Sequence, residues 1–222
     1  MLEMQTKNMS VVAIIDYKLG NLHSVKSACD YVKIPSIITD DPKVILNSKA
    51  IILPGVGAFK EGMNFLKTLN LDFAIKEFIE TNKPVLGICL GMQLLFDYSE
   101  EFGNCLGLGV LKGKIIKFNF DPNIDQKYSI PQMGWNKIYK KNKKWKGSIL
   151  ENNNNEDFMY FVHSYYALPE DDCILSLTKY GNIEFCSSLK YKNIYATQFH
   201  PEKSGKMGLK IYKYFKEVCK IS

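Results

Sequence analysis

The sequence predicts an α/β fold: an open, mostly parallel sheet with helices on both faces and antiparallel β additions. Two patterns carry that expectation. Through the first hundred residues, short apolar runs alternate with stretches whose apolar residues recur at helical spacing, as in β-α units wound around a parallel sheet. After Gly107 the helical spacing gives way to short segments of alternating polarity, which read as antiparallel strands. No linker-like stretch divides the two regions. Residues 9–222 are therefore expected to form one domain behind a disordered tail over residues 1–8.

The elements follow in order. Residues 10–15 (SVVAII) open the chain as a strand, and residues 22–32 place Leu22, Val25, Ala28, Cys29 and Val32 on one helical face. Residues 35–38 form a short strand. Asp40, Asp41 and Pro42 then supply a cap and a first-turn proline for a helix through Leu46. Residues 50–53 (AIIL) are apolar throughout, as a strand buried on both faces must be, and end in Pro54-Gly55-Val56-Gly57. Residues 59–69 and 71–81 read as helices. Residues 84–88 (PVLGI) form the central strand, followed by a helix from Leu90 to about Tyr98. Later strands are expected at residues 110–118, 135–139, 158–162, 173–178, 183–189 and 193–199. In residues 205–218, Met207, Leu209, Ile211, Tyr214, Phe215 and Val218 give the closing helix its packing face.

Composition excludes several function classes. The chain is 46% hydrophobic and 23% charged, as soluble globular proteins are, and its apolar runs are too short to span a bilayer. Residues 1–10 lack the apolar core of a signal peptide, so a cytoplasmic location is expected. The six cysteines show neither a Cys-x-x-Cys pair nor zinc-ligand spacing, so reduced thiols, no metal and no cofactor are expected. A net charge of +6 is modest. Its one dense basic stretch, residues 140–146 (KKNKKWK), lacks any nucleic-acid-binding motif and reads as a solvated loop. Neither a nucleic acid nor a membrane is expected as a partner. Gly55-Val56-Gly57 is too short to cradle phosphates and has no accompanying lysine.

One stretch carries chemistry. Gly87-Ile88-Cys89-Leu90-Gly91 joins the apolar strand to a helical pattern, with one reactive residue flanked by glycines at minus two and plus two. That is a nucleophile elbow with cysteine in the serine position. A side chain on so sharp a turn is strained, and only flanking glycines leave room for it. The turn also aims the thiol at a helix N-terminus, which favours a thiolate.

A thiol nucleophile needs a base, and Phe199-His200-Pro201-Glu202 offers one. His200 would stand at the C-terminal end of a strand, where open α/β sheets build their sites. Pro201 restricts its neighbour to extended geometry, so His200 and Glu202 can project to one side. Of three histidines only His200 has a carboxylate at this spacing. The imidazole takes the thiol proton, and the carboxylate fixes the ring and its tautomer.

Six segments extend the pattern: Asp16-Tyr17 with Gly20-Asn21-Leu22, residues 53–59 (LPGVGAF), residues 87–95 (GICLGMQLL), Met133-Gly134-Trp135-Asn136, residues 160–165 (YFVHSY) and residues 199–205 (FHPEKSG). With them the chain resembles the class I (triad) glutamine amidotransferases, and within these the glutaminase subunits of histidine biosynthesis. The resemblance implies hydrolysis of L-glutamine by Cys89, His200 and Glu202. It implies a heterodimer in which the ammonia passes to a (β/α)8-barrel cyclase that makes imidazole glycerol phosphate. The N–H of Leu90 is one oxyanion donor by the elbow geometry. The resemblance makes the loop of Val56 and Gly57 the second donor. It also assigns glutamine binding to Gly55, Gly57, Gln93, Ser164 and Tyr165. Tyr160, Trp135, Asn136 and Lys203 match positions near the partner contact. His163 reads instead as a packed strand-end histidine.

Two departures stand out. Lys18 and Leu19 occupy a turn where relatives often begin with glycine, and Gln132 stands where many carry histidine. Both lie away from the triad and bear on which partner is served. The alternatives are a glutaminase feeding a surface-sugar amidotransferase, a cysteine peptidase-like or deglycase-like hydrolase, and a non-catalytic binding subunit. The hydrolases lack Gly-Met-Gln after the elbow and Pro-Glu after the histidine, and the filled triad argues against the last.

Overall fold

The computed structural model describes residues 10–120, 128–141 and 145–221. The tail expected over residues 1–8 and residues 142–144 of the basic stretch lie outside the described residues. The chain begins β1 (Val12–Ile15), α1 (Leu22–Tyr31), β2 (Ser36–Thr39), α2 (Pro42–Asn47), β3 (Ala50–Leu53), α3 (Phe59–Thr68) and α4 (Leu71–Glu80). It continues through β4 (Val85–Ile88), α5 (Leu90–Leu94), β5 (Phe96–Ser99), β6 (Cys105–Leu106) and β7 (Leu111–Lys117). Then come β8 (Gln132–Lys137), β9 (Tyr139–Lys140), β10 (Phe158–His163), β11 (Tyr165–Pro169), β12 (Ile174–Tyr180), β13 (Ile183–Tyr191) and β14 (Ile194–Thr197). A 3₁₀ turn (Pro201–Lys203) and α6 (Gly205–Val218) close the fold.

The main sheet runs β2-β1-β3-β4-β14-β13-β12-β9. Its first five strands are parallel and the last three antiparallel. Burial on both faces explains the unbroken apolar runs. Along β1, Val12 and Ile14 join a core with Val25 and Cys29 of α1 and Ile211 and Phe215 of α6. Ala13 and Ile15 point the other way, into a core with Phe59 and Met63 of α3 and Ile75 and Phe78 of α4. The two-residue period of a strand thus divides one run between two cores. Asp41 caps α2 as its spacing predicts, accepting the Lys43 N–H at 2.8 Å.

Two smaller sheets, β10-β8 and β11-β7-β5-β6, are antiparallel but for the parallel pair of β5 with β7. Here the expectation for residues 90–98 is corrected. The helix ends at Leu94, and Phe96–Ser99 is a strand paired with β7 and β6. Residues 107–111 lie along this stretch and take its carbonyls. The N–H groups of Val110 and Leu111 donate to Leu95, and that of Gly109 to Phe96. A Cβ at Gly107 would lie 2.2 Å from the Phe96 oxygen, so glycine permits the approach. The segment expected at residues 135–139 begins at Gln132 and divides at Ile138 into strands of two sheets. β6 and β11 arise where no strand is expected.

α6 packs against the turn that carries Glu202. A Cβ at Gly208 would meet the Pro201 carbonyl oxygen at 1.9 Å. Gly→Ala inside a helix ordinarily stabilises by about 1 kcal/mol. At this position the clash with backbone reverses the sign, and Gly208→Ala should destabilise by about 2–3 kcal/mol. Urea unfolding measures it; a variant as stable as the parent would show that α6 is not seated on the turn.

Candidate active site

β4 and β14 are parallel neighbours with Ile88 opposite Thr197, so the residues after each strand emerge side by side. The Cys89 N–H donates to the Thr197 carbonyl at 2.7 Å. Cys89 takes φ +52° and ψ −109°, a region L-residues avoid at a cost of about 1–3 kcal/mol. The glycines leave the room this requires. A Cβ at Gly91 would lie 1.8 Å from the Leu53 oxygen, and one at Gly87 would lie 3.1 Å from Met92 Cα. α5 has five residues, so the dipole behind the thiol is little more than one turn's.

His200 is extended at φ −97° and ψ +95°, as its following proline dictates, and Glu202 stands on the next turn. His200 Nδ1 and Glu202 Oε1 are 2.8 Å apart, with both side chains 1% exposed. The carboxylate can only accept, so the proton is on Nδ1 and Nε2 is left for the thiol. Nε2 has no hydrogen-bond partner in this resting arrangement. Burial opposes charge on the ring. The charge of Cys89 outweighs this, together with Glu202, and the imidazole is pushed up to about 10.

Behind the thiol lies a second network. The Tyr165 carbonyl accepts from His163 Nδ1 at 2.8 Å and from Gln93 Nε2 at 2.9 Å. His163 is buried among Phe118, Phe161 and Phe185, where burial pushes it down to about 3 and keeps it neutral. Gln93 Nε2 donates also to Gln198 Oε1 at 3.0 Å, and Gln198 Nε2 to Cys89 Sγ at 3.6 Å. Sequence reasoning passed over Gln198. The available signal was an amide among apolar neighbours at the end of a buried strand.

The cavity in front of Cys89 has a volume of about 310 Å³, and Val56, Gly57, Leu90, Gln93, Ser164 and Tyr165 all line it. Glu101, also unforeseen, supplies a carboxylate to its wall, with Oε2 accepting the Phe59 N–H at 2.6 Å. Gly55 stands behind the wall. A Cβ there would lie 2.0 Å from the Tyr17 hydroxyl oxygen, and that hydroxyl donates to the Pro54 carbonyl at 2.7 Å. The Leu90 N–H, expected to face an oxyanion, donates instead to the Gly55 carbonyl at 3.4 Å. Lys18 has φ +70°, a backbone conformation that glycine adopts with less strain.

Of the residues matched to a partner contact, Trp135 and Tyr160 share one side of a ribbon, and Asn136, next in the strand, turns to the other. In the β8–β10 ribbon Tyr160 lies opposite Trp135, their rings 6.0 Å apart, and Asn136 follows. Trp135 is 52% exposed and Met133 65%, and Lys203 is exposed on the 3₁₀ turn. The same strand holds the histidine. The His200 N–H donates to the Tyr160 carbonyl at 2.9 Å, and the Tyr160 N–H to Ser204 Oγ at 3.0 Å. Ser204 Oγ in turn donates to the His200 carbonyl at 2.6 Å. Among the described residues no group of three or more His, Cys, Asp or Glu is placed to hold a metal ion, and no helix is long and apolar enough to cross a membrane.

This fold and this constellation define a class of protein. The family model "Glutamine amidotransferase class-I" matches residues 10–217. The chain belongs to the class I glutamine amidotransferase family. It is 42% identical over 208 residues to "Imidazole glycerol phosphate synthase subunit HisH" of Geobacillus sp. (strain WCH70), covering 94% of this chain and 97% of that one. The subunit of the same name from Aquifex aeolicus (strain VF5) is 45% identical over 205 residues, covering 91% and 94%. Among solved structures, "Crystal structure of glutamine amidotransferase" superimposes with a TM-score of 0.71 at 15% identity, covering 96% of this chain and all of the other. "Structure of PurLQS from Thermotoga maritima" gives 0.67 at 17%, covering 94% and 99%. These two show the shared fold.

His163 yields a pH prediction. Its folded value, about 3, lies below the usual 6.5, so between those limits the unfolded chain binds a proton that the folded chain refuses. Its contribution is thus fully present above about pH 6.5 and declines as pH falls toward 3. His163→Gln keeps a donor for the Tyr165 carbonyl and removes the titration. Urea midpoints from pH 7 to 4 should fall less steeply in the variant, and parallel curves would refute the assignment.

Proposed function

We propose that this chain is the glutaminase subunit of an imidazole glycerol phosphate synthase, hydrolysing L-glutamine to glutamate and ammonia in the cytoplasm. Residues 9–222 act as one domain, and a (β/α)8-barrel cyclase receives the ammonia. The observation that carries this reading is the strained Cys89 beside the buried His200–Glu202 pair. Full-length similarity to the HisH subunits gives it its pathway.

In this mechanism His200 Nε2 takes the Cys89 proton, and the thiolate attacks the side-chain carboxamide carbon of glutamine. The tetrahedral oxyanion collapses as His200 returns the proton to the leaving nitrogen, and ammonia departs from a thioester. Water, deprotonated by His200, attacks the thioester carbon and expels the thiolate, releasing glutamate. Glu101 faces the α-ammonium of glutamine, and Gln93, Ser164 and Tyr165 bound the rest of the cavity.

Both tetrahedral intermediates need two N–H donors. With Leu90 N–H committed to the Gly55 carbonyl, the resting hole is incomplete. Rotating the Gly55–Val56 peptide releases Leu90 and turns the Val56 N–H inward, a movement glycine makes at low cost. The cyclase docks against Trp135, Asn136, Tyr160 and Lys203. Its signal has a short route, since Tyr160 is bonded to both His200 and Ser204.

Two experiments test this. Cys89→Ala should abolish glutamine hydrolysis while leaving partner binding intact, and a glutamine analogue such as diazo-oxo-norleucine should label Cys89 alone among six cysteines. Labelling spread over several thiols, or activity surviving in the variant, would sink the nucleophile. The lone chain should hydrolyse glutamine slowly, and the cognate cyclase with its phosphoribulosyl ligand should raise kcat by orders of magnitude, with a smaller effect on KM. Full activity without a partner would refute the gating. Stimulation only by a sugar amidotransferase would move the chain to that pathway.

A further inference from the structure

We propose that Gln198 is a working part of the catalytic centre: its side-chain amide, oriented by Gln93, donates a hydrogen bond to Cys89 Sγ and stabilises the thiolate. This rests on the glutaminase reading of Cys89.

The hydrogen-bond chain fixes which end of each amide points where. The Tyr165 carbonyl can only accept, so the Gln93 atom 2.9 Å from it is the NH₂. Its second N–H reaches Gln198 at 3.0 Å, and the atom of Gln198 that receives it must be the carbonyl oxygen. The NH₂ of Gln198 is then the end that faces Sγ, at 3.6 Å. Exchanging the oxygen and nitrogen of Gln198 would set donor against donor at Gln93. Tyr165 is itself held from the far side by His163 Nδ1, so the chain ends in a side chain that stays neutral.

Burial gives the contact its weight. Gln198 is fully buried and Gln93 is 6% exposed, so neither amide can exchange its partner for bulk water. The Gln198 N–H donates to the Ser187 carbonyl at 2.9 Å, which anchors its backbone to β13. A donor to a thiol is a weak contact, whereas a donor to a thiolate is charge-assisted and stronger. The bond therefore favours the charged sulfur over the neutral one. It also persists after the imidazole has passed its proton to the leaving nitrogen. During thioester hydrolysis the same donor helps the sulfur leave as an anion.

The other titratable groups around the sulfur are identified. His200 follows β14 with Glu202 behind it, Tyr17 follows β1, His163 ends β10 and Glu101 follows β5. Tyr17 is held protonated by burial and by the charge of Cys89, and its hydroxyl proton is committed to Pro54. Among these described groups, Gln198 is the neutral donor on the sulfur whose strength does not change with pH.

The test compares the parent with Gln198→Met, of similar length but without a donor, and Gln198→Asn, which keeps the amide but shortens its reach. Both are assayed with the cyclase complex, with thermal unfolding as a check on folding. The midpoint of the pH profile for iodoacetamide alkylation of Cys89 should move alkaline by about one unit or more in both variants, the scale of one hydrogen bond to a charged group. Glutamine kcat should fall about tenfold to hundredfold, with a smaller change in KM. A lowered melting temperature with an unmoved alkylation profile would make Gln198 structural and overturn the proposal. Should neither variant fold, the Gln198 side-chain N–H protons of the parent remain readable by NMR. They should shift downfield as the thiol ionises, and stationary resonances would overturn the proposal. Cys89→Ala keeps the outcomes separate: if it still hydrolyses glutamine, the glutaminase reading itself falls, whatever Gln198 does.

Discussion

The hydrogen bond from the Cys89 N–H to the Thr197 carbonyl, 2.7 Å long, closes a gap of more than a hundred residues. It continues the parallel pairing of β4 with β14, in which Ile88 faces Thr197. Everything reactive hangs on that seam. From one strand end come Cys89 and Leu90, and from the other Gln198, His200 and Glu202. Were the register to slip by one residue, alternate side chains would change faces and Cys89 would lose its place beside His200 and Gln198.

Strain and burial then do different jobs at this seam. Cys89 is held at positive φ because the backbone on either side is packed too closely for any residue but glycine. His200 and Glu202 are almost wholly excluded from water, which strengthens their mutual attraction and their hold on the imidazole proton. The cavity in front stays open to substrate.

The same packing leaves one face unfinished. Met133 and Trp135 lie exposed on the β8–β10 ribbon, while the backbone of β10 holds both His200 and Ser204. A body seated on that ribbon presses on the strand from which the histidine is hung. Val56 and Gly57 of the glycine loop line the same cavity as Val162 and His163 of β10.

Much of this was legible in the chain. Apolar runs with period two and helices with period 3.6 gave the sheet and its covering, because each pattern reports directly which side chains leave water. The sharp turn at Cys89 announced itself through Gly87 and Gly91, and the His200–Glu202 pair through a histidine, a proline and a glutamate in fixed order. Local physics governs all of these. Residues 96–99 escaped it: their helical spacing was overruled by backbone partners supplied from residues 107–111, a contact no local pattern encodes. Gln198 and Glu101 were hidden for a related reason. A lone amide or carboxylate carries no periodic signature, and its role depends on what stands opposite it once distant strands are joined. Which way the Gly55–Val56 peptide faces was likewise beyond the sequence, since glycine permits either orientation and only the packing around Leu90 selects one.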